Sequence, residues 1–343
     1  MREIIKVKKI QPVQKVGLVY PNGREATQAE VSRTVAVRSL ADAETRIERL
    51  TRTPKSRDFE EWTDVMETRQ AQRKEVLSIP ERVEVKIHTK KPILVSLFGD
   101  VHAGGEDVDY KGFAEDVTLT RKAKGYSVVV GDLTDSIHFP SAQDNVANNT
   151  EQDLFMESAM DELAEGGRLI AGFIGDHDGW VKSRMGRQGI YHRFGERYNG
   201  AHYLEGVSYI DVGLNNGEKV VDYKMVGSHR HKGFSVYNDS HASLRQEKDE
   251  ARGADISFTA HNHVKGHNQQ VVKVHGGGEK IIHHVSLGAY KATDHYSRKM
   301  GWPRKGEVSR GGFGIILHPG EKEIEVHWTI KKAVDALAKL IGG

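Results

Sequence analysis

The 343-residue chain contains no cysteine. Disulfides and thiolate metal ligands are therefore excluded, and a reducing compartment suits the chain. Aromatic residues are few, at 7%, and prolines number 8. No run approaches the ~20 apolar residues of a membrane span. The opening residues, MREIIKVKKIQPVQK, hold no apolar core of signal-peptide length. The expectation is a cytoplasmic protein with no membrane partner. An excess of one charge is also missing. The net charge is +2, so any pull toward nucleic acid must be local. A composition of 37% hydrophobic and 29% charged residues is that of a soluble globular protein. Histidine, by contrast, is plentiful, with 18 residues.

The most informative stretch is Ile93–His102, reading ILVSLFGDVH. Ile93 to Phe98 suits a buried strand, Gly99 breaks it, and Asp100 and His102 follow two residues apart. The pattern recurs twice. Tyr126–Val130 leads into Gly131-Asp132-Leu133-Thr134-Asp135, and Leu169–Ile174 leads into Gly175-Asp176-His177-Asp178. Two histidine-bearing segments follow, Gly227-Ser228-His229-Arg230-His231 and Ala260-His261-Asn262-His263. Carboxylates and imidazoles on strand ends suit two divalent transition metals.

These five segments, in this order, resemble the motifs of the calcineurin-like metallophosphoesterases: D-x-H, G-D-x-x-D, G-N-H-[DE], H and G-H-x-H. The resemblance covers roughly residues 91–320 and is similar in pattern to DNA-repair-exonuclease-like and phage-type members. It implies an α/β fold, a four-layer α-β-β-α sandwich of two mixed sheets. It implies two divalent ions, Mn²⁺ first, with Fe, Zn, Ni or Mg as alternatives, and the water between them as nucleophile. By the same resemblance Asp132 bridges the pair. Asp100, His102, Asp132 and His263 hold one ion. Asp132, Asp176, a histidine of the 227–231 segment and His261 hold the other. Of His229 and His231 the preferred ligand is His231, because Gly233 follows it closely. His177 is the general acid, with Asp178 orienting its imidazole. Asp135 is read as stabilising its loop. Two positions depart from the pattern: Asp176 stands where the family has asparagine, and Ala260 where it has glycine. The first adds negative charge; the second calls for a small backbone adjustment.

Residues 1–90 read as a small, mainly helical appendage, residues 91–330 as the catalytic domain, and residues 331–343 as an amphipathic helix. In the appendage, Ile4–Lys9 and Lys15–Tyr20 suit strands around a Pro21-Asn22-Gly23 turn. Thr27 and Glu30 form a capping box for a helix carrying Val31, Val35, Leu40, Ala43, Ile47 and Leu50 on one side. Arg33, Arg38, Arg46, Arg49 and Arg52 lie along it: a solvated face, or an arm that binds nucleic acid. A second helix begins near Asp58 with Phe59, Trp62 and Met66. In the catalytic part Asp153–Glu165 is an amphipathic helix, and Asn145, Asn148 and Asn149 lie in the loop before it. From residue 201 the pattern turns antiparallel, with hairpins at Asn215-Asn216-Gly217 and Gly276-Gly277-Gly278 and a third pair over Gly312–His318 and Glu323–Ile330. The tail helix presents Val334, Leu337, Leu340 and Ile341. It packs on the domain or, with the N-terminal segment, binds a protein partner or a second copy.

The motifs indicate hydrolysis of a phosphate ester. The substrate is expected to be a phosphodiester, as nucleic acid or nucleotide, because Lys291, His295, Tyr296 and Arg298 interleave aromatic and basic side chains. A phosphomonoesterase and a non-catalytic scaffold on the same fold are the alternatives.

Overall fold

A run as apolar as Ile93–Phe98 forms a stable strand only where both of its faces are covered, and all six of its residues are buried. The computed structural model describes residues 18–19, 25–26, 59–76, 82–136, 145–179, 190, 194–198, 200–233, 235, 237–273, 277–292, 298–299, 301 and 309–342. The strands are β1 (Leu18–Val19), β2 (Glu25–Ala26), β3 (Arg82–His88), β4 (Ile93–Phe98), β5 (Tyr126–Gly131), β6 (Leu169–Ile174) and β7 (His202–Leu204). They continue as β8 (Ser208–Asn215), β9 (Val220–Ser228), β10 (Ile256–Thr259), β11 (Gly266–Lys273), β12 (Glu279–Ser286), β13 (Phe313–Leu317) and β14 (Ile324–His327). The helices are α1 (Phe59–Val76), α2 (Tyr110–Lys122), α3 (Asn149–Ala164), α4 (Phe194–Arg197), α5 (His241–Glu250) and α6 (Ile330–Gly342).

Two mixed sheets result. One has the order β14-β13-β4-β5-β6-β7, the other β11-β12-β10-β9-β8-β3-β1-β2. Their facing sides share one core. Val95, Leu97, Val128, Val130, Phe173 and Ile315 come from the first sheet, and Val85, Val212, Met225, Phe258 and Val285 from the second. On the outer side of the first sheet, Phe113 and Val117 of α2, Met156, Met160 and Leu163 of α3 and Ile330 of α6 cover Phe98 and Val129. Helix α5 lies on β10 and β12 of the second sheet. The layers therefore run α-β-β-α, as expected from the sequence.

Several boundaries differ from the sequence reading. Arg82–His88 is no part of a separate appendage: it pairs in parallel with β8 along its whole length, and Val83, Val85 and Ile87 enter the shared core. The region after residue 201 is not wholly antiparallel, since β10 runs parallel to both β9 and β12. Helix α3 starts four residues early because Asn148 and Glu151 form a capping box. Asn148 is thus a helix cap, and the Asn145 carboxamide accepts from Gln152. In α6 the buried residues are Ile330, Ala333 and Leu337, whereas Leu340 and Ile341 are exposed. The helix expected from Val31 to Leu50 and the strand Ile4–Lys9 lie outside the described residues. Helix α1 carries Phe59 and Met66 exposed.

One side chain ties the sheets together at the β13–β14 turn. The Tyr223 ring is fully buried. Its hydroxyl lies 2.6 Å from the His318 carbonyl and 3.0 Å from those of Glu321 and Glu323. It also accepts from the backbone N–H groups of His318 and Glu323. The turn wraps this one oxygen, so losing it strands several backbone groups at once. Tyr223→Phe is expected to destabilise the fold by about 1–3 kcal/mol, read as a lowered melting temperature.

Candidate metal centre

The three central strands of the first sheet, β4, β5 and β6, run parallel. Their carboxyl ends therefore open on one rim, where ligands gather in α/β sheets. Asp100, Asp132 and Asp176 stand on that rim. Gly131 precedes Asp132 with φ +94°, and a Cβ there would overlap Asp100 Oδ1. Glycine is thus required for the close approach of the two segments. The second sheet delivers its share from β9 and β10, which pair with Ser228 opposite Thr259. His229 follows β9 directly, and its carbonyl accepts from Ala260 N at 3.0 Å. His261 and His263 follow Ala260.

The side chains converge. His229 Nε2 lies 3.2 Å from Asp100 Oδ1 and 3.6 Å from Asp132 Oδ2. His263 Nε2 is 3.4 Å from Asp100 Oδ2 and 3.1 Å from His102 Nε2. His102 Nε2 is 3.8 Å from Asp132 Oδ2. His261 Nδ1 is 3.5 Å from Asp176 Oδ2. Two sets offer one ligand atom from each residue within 4.8 Å: His102, Asp132 and His177, and Asp132, His229 and His261. Asp132 belongs to both. Three of these histidines, His102, His261 and His263, have φ of +53°, +71° and +54°. Such backbone strain in residues other than glycine clusters at functional sites.

The donor set fits divalent cations. Imidazole nitrogens and carboxylate oxygens 3–4 Å apart are spaced as neighbouring ligands with bonds of ~2.0–2.2 Å would be. His229 Nε2 is buried, aimed between two carboxylates, and has no hydrogen-bond partner of good geometry. His102 Nδ1 lies 2.9 Å from Asp135 Oδ1. A carboxylate on the far nitrogen of an imidazole fixes its tautomer and strengthens it as a ligand.

Protonation follows from this crowding. Burial raises the Asp100 carboxyl, but His229, His263 and His102 outweigh it and hold Asp100 well below the usual range. Burial, opposed by His229 and His102, leaves Asp132 raised to about 6. Burial and the charge of Asp132 push Asp178 well upward. Burial lowers the His229 imidazole, yet Asp100 and Asp132 lift it to about 9. Burial takes His263 down to about 3, assisted by His102 against the pull of Asp100.

The structure corrects two sequence-based choices. It brings His229 into the cluster; His231 turns aside, with Nδ1 on the carbonyl of Lys232. It also separates Asp178 from the His177 ring. Asp178 accepts from the N–H groups of Leu133, Thr134 and Gly175 and from the Thr134 hydroxyl. The residue against His177 is Asp135, whose carbonyl is 2.6 Å from His177 Nδ1. Asp176, 36% exposed in its side chain, sits at the edge beside His261 and Arg230. Lys291 is buried and donates to Asp135 Oδ1 at 2.7 Å, so its charge is directed at that carboxylate. Arg298 is exposed, 4.0 Å from Glu106. His295 and Tyr296 lie outside the described residues.

No protein-family model matches the chain, and no curated protein matches it. Among solved structures it is similar to a metallophosphoesterase from Sphaerobacter thermophilus. The identity is 14%, over 73% of this chain and 95% of that one, with a TM-score of 0.33. It is also similar to GAP50, the anchor in the inner membrane complex of Plasmodium, at 11% identity, the same coverages and a TM-score of 0.29. Likenesses this faint carry no chemical assignment; the side-chain geometry does.

Two outcomes are expected. A divalent cation bound among these side chains would displace the proton that His229 holds up to about pH 9 and, below about pH 6, the one on Asp132. Affinity should therefore rise with pH, by about tenfold per unit for each proton displaced, and level off above pH 9. Calorimetry across that range checks this, and a flat profile contradicts it. His229→Asn should lose bound metal, whereas His231→Asn should keep it, by metal analysis of purified protein.

Proposed function

We propose that the chain is a metal-dependent phosphoesterase and, within that class, a phosphodiesterase or nuclease. The observation that carries the reading is Asp132, whose Oδ2 lies 3.8 Å from His102 Nε2 on one side and 3.6 Å from His229 Nε2 on the other. A carboxylate shared in this way suits a pair of cations. The five ordered motifs of the sequence support the same reading. Asp100, His102, Asp132 and His263 would hold one ion, and Asp132, Asp176, His229 and His261 the other, with Mn²⁺ the first choice. When bound, the ions supply a nucleophile at neutral pH and offset charge on the phosphoryl oxygens.

The protein's own groups do the rest. The Asp135 carbonyl accepts the Nδ1 proton of His177, which leaves Nε2 as the nitrogen available for proton transfer. As imidazolium, His177 would pass its Nε2 proton to the departing oxygen. The His177 backbone N–H donates to Asp132 Oδ1 at 2.8 Å, which ties the backbone carrying the acid to the shared carboxylate. Arg230, exposed and 3.5 Å from Asp176 Oδ2, brings a positive charge to the edge of the cluster.

With Mn²⁺ present, turnover is expected on bis-p-nitrophenyl phosphate in preference to p-nitrophenyl phosphate. Preference for the monoester would make it a phosphomonoesterase, and silence on both would mark a scaffold. His177→Ala should retain metal and lose about 10²–10⁴-fold in rate, most with poor leaving groups. If that variant loses metal, His177 is a ligand.

A further inference from the structure

We propose that the β13–β14 hairpin carries a separate divalent-cation site, formed by His318, Glu323 and Glu325, and that it takes Zn²⁺. These residues each bring one ligand atom within 4.8 Å of the others. His318 Nε2 lies 2.9 Å from Glu325 Oε1. The other oxygen, Oε2, is 3.3 Å from His327 Nε2.

The placement follows from the register. Leu317 pairs with Ile324, and Ile316 with Glu325. Side chains alternate across a sheet. Ile324, Val326 and Trp328 pack on the inter-sheet core, so Glu323, Glu325 and His327 share the opposite face. His318 is one step beyond Leu317 and falls beside them. The sequence shows this as H-P-G-E-K-E-I-E-V-H over residues 318–327, with ligand-type residues on every polar position of β14.

The hairpin is held in shape without any ion. The Tyr223 hydroxyl gathers the backbone of His318, Glu321 and Glu323, and Lys322 pairs with Asp255 at 2.9 Å. A site on a rigid turn loses little order on binding. Imidazole with carboxylates is a donor set that Zn²⁺ accepts, and three protein ligands leave a fourth position to solvent. His327 then holds the far oxygen of Glu325, as an outer hydrogen-bond partner does.

The site is independent of the strand-end cluster. Leu317 pairs with Ile93, the first residue of β4, and Phe313 with Leu97 near its last. The turn therefore lies at the opposite end of the sheet, roughly 20 Å away for a strand of this length.

The test uses the full chain, stripped of metal and equilibrated against buffered Zn²⁺ at neutral pH. Bound zinc per chain is expected to fall by one equivalent in His318→Ala and in Glu325→Gln, the second being close in shape should the first fail to fold. His327→Ala should keep the equivalent but weaken it by about 10–100-fold. Hydrolysis of bis-p-nitrophenyl phosphate should not change in any of the three. The count is a difference between variants, so it holds whether or not the strand-end cluster is catalytic. Equal zinc in the parent protein and both of the first two variants would overturn the proposal.

Discussion

Four carboxylates, Asp100, Asp132, Asp135 and Asp178, are buried side by side at the ends of β4 to β6. Buried like charges repel and each loses its hydration, so the rest of the rim exists to neutralise them. Each is treated differently. Asp178 gathers three backbone N–H groups and a hydroxyl, yet burial beside Asp132 raises it well above the usual range. Asp100 stays ionised against His229 and His263. Asp135 stays ionised between His102 and Lys291, which outweigh its burial. Asp132 is left between these extremes, at about 6. Its Oδ2 lies between His102 and His229, one imidazole from each sheet.

Asp135 does more than hold its loop. One carboxylate oxygen meets His102 Nδ1 and Lys291 Nζ, and its carbonyl meets His177 Nδ1. A single residue thereby sets the tautomers of two imidazoles, 4.8 Å apart and edge to face. Lys291 supplies the charge that keeps Asp135 ionised beside them. A lysine that reads as a phosphate contact in isolation becomes, in the fold, the counter-charge of a buried acid.

What could be read in advance was local. A strand that ends in Gly-Asp announces itself within ten residues, because burial demands the apolar run and close approach demands the glycine. The order of the three strands and the hairpin turns followed from such patterns. The choice between His229 and His231 did not. It depends on where β9 stops, and that is set by its pairing with β10, some thirty positions on. Arg82–His88 was legible and passed over: Val83, Val85 and Ile87 alternate with polar residues, but they follow a charged stretch that read as an appendage. The link between Lys291 and Asp135 spans 156 positions, and no short pattern encodes it.

The inter-sheet core and the ligand geometry are one constraint. The acids come from the first sheet and His229, His261 and His263 from the second, so neither sheet holds a complete set. The distance between the two contributions is set just below the rim. Phe173 of β6 meets Phe258 of β10 edge to face, with centroids 5.4 Å apart. The Phe258 ring also packs on Gly227, where any Cβ would overlap it. Gly227 is two residues before His229, and Phe258 three before His261. A side chain at 227 would push on the ring that separates the sheets and on the strand that carries a ligand. The positive-φ backbone at His102, His261 and His263 persists because that packing leaves no room to relax. Holding these donors 3–4 Å apart is therefore work done by the hydrophobic core, before any ion arrives.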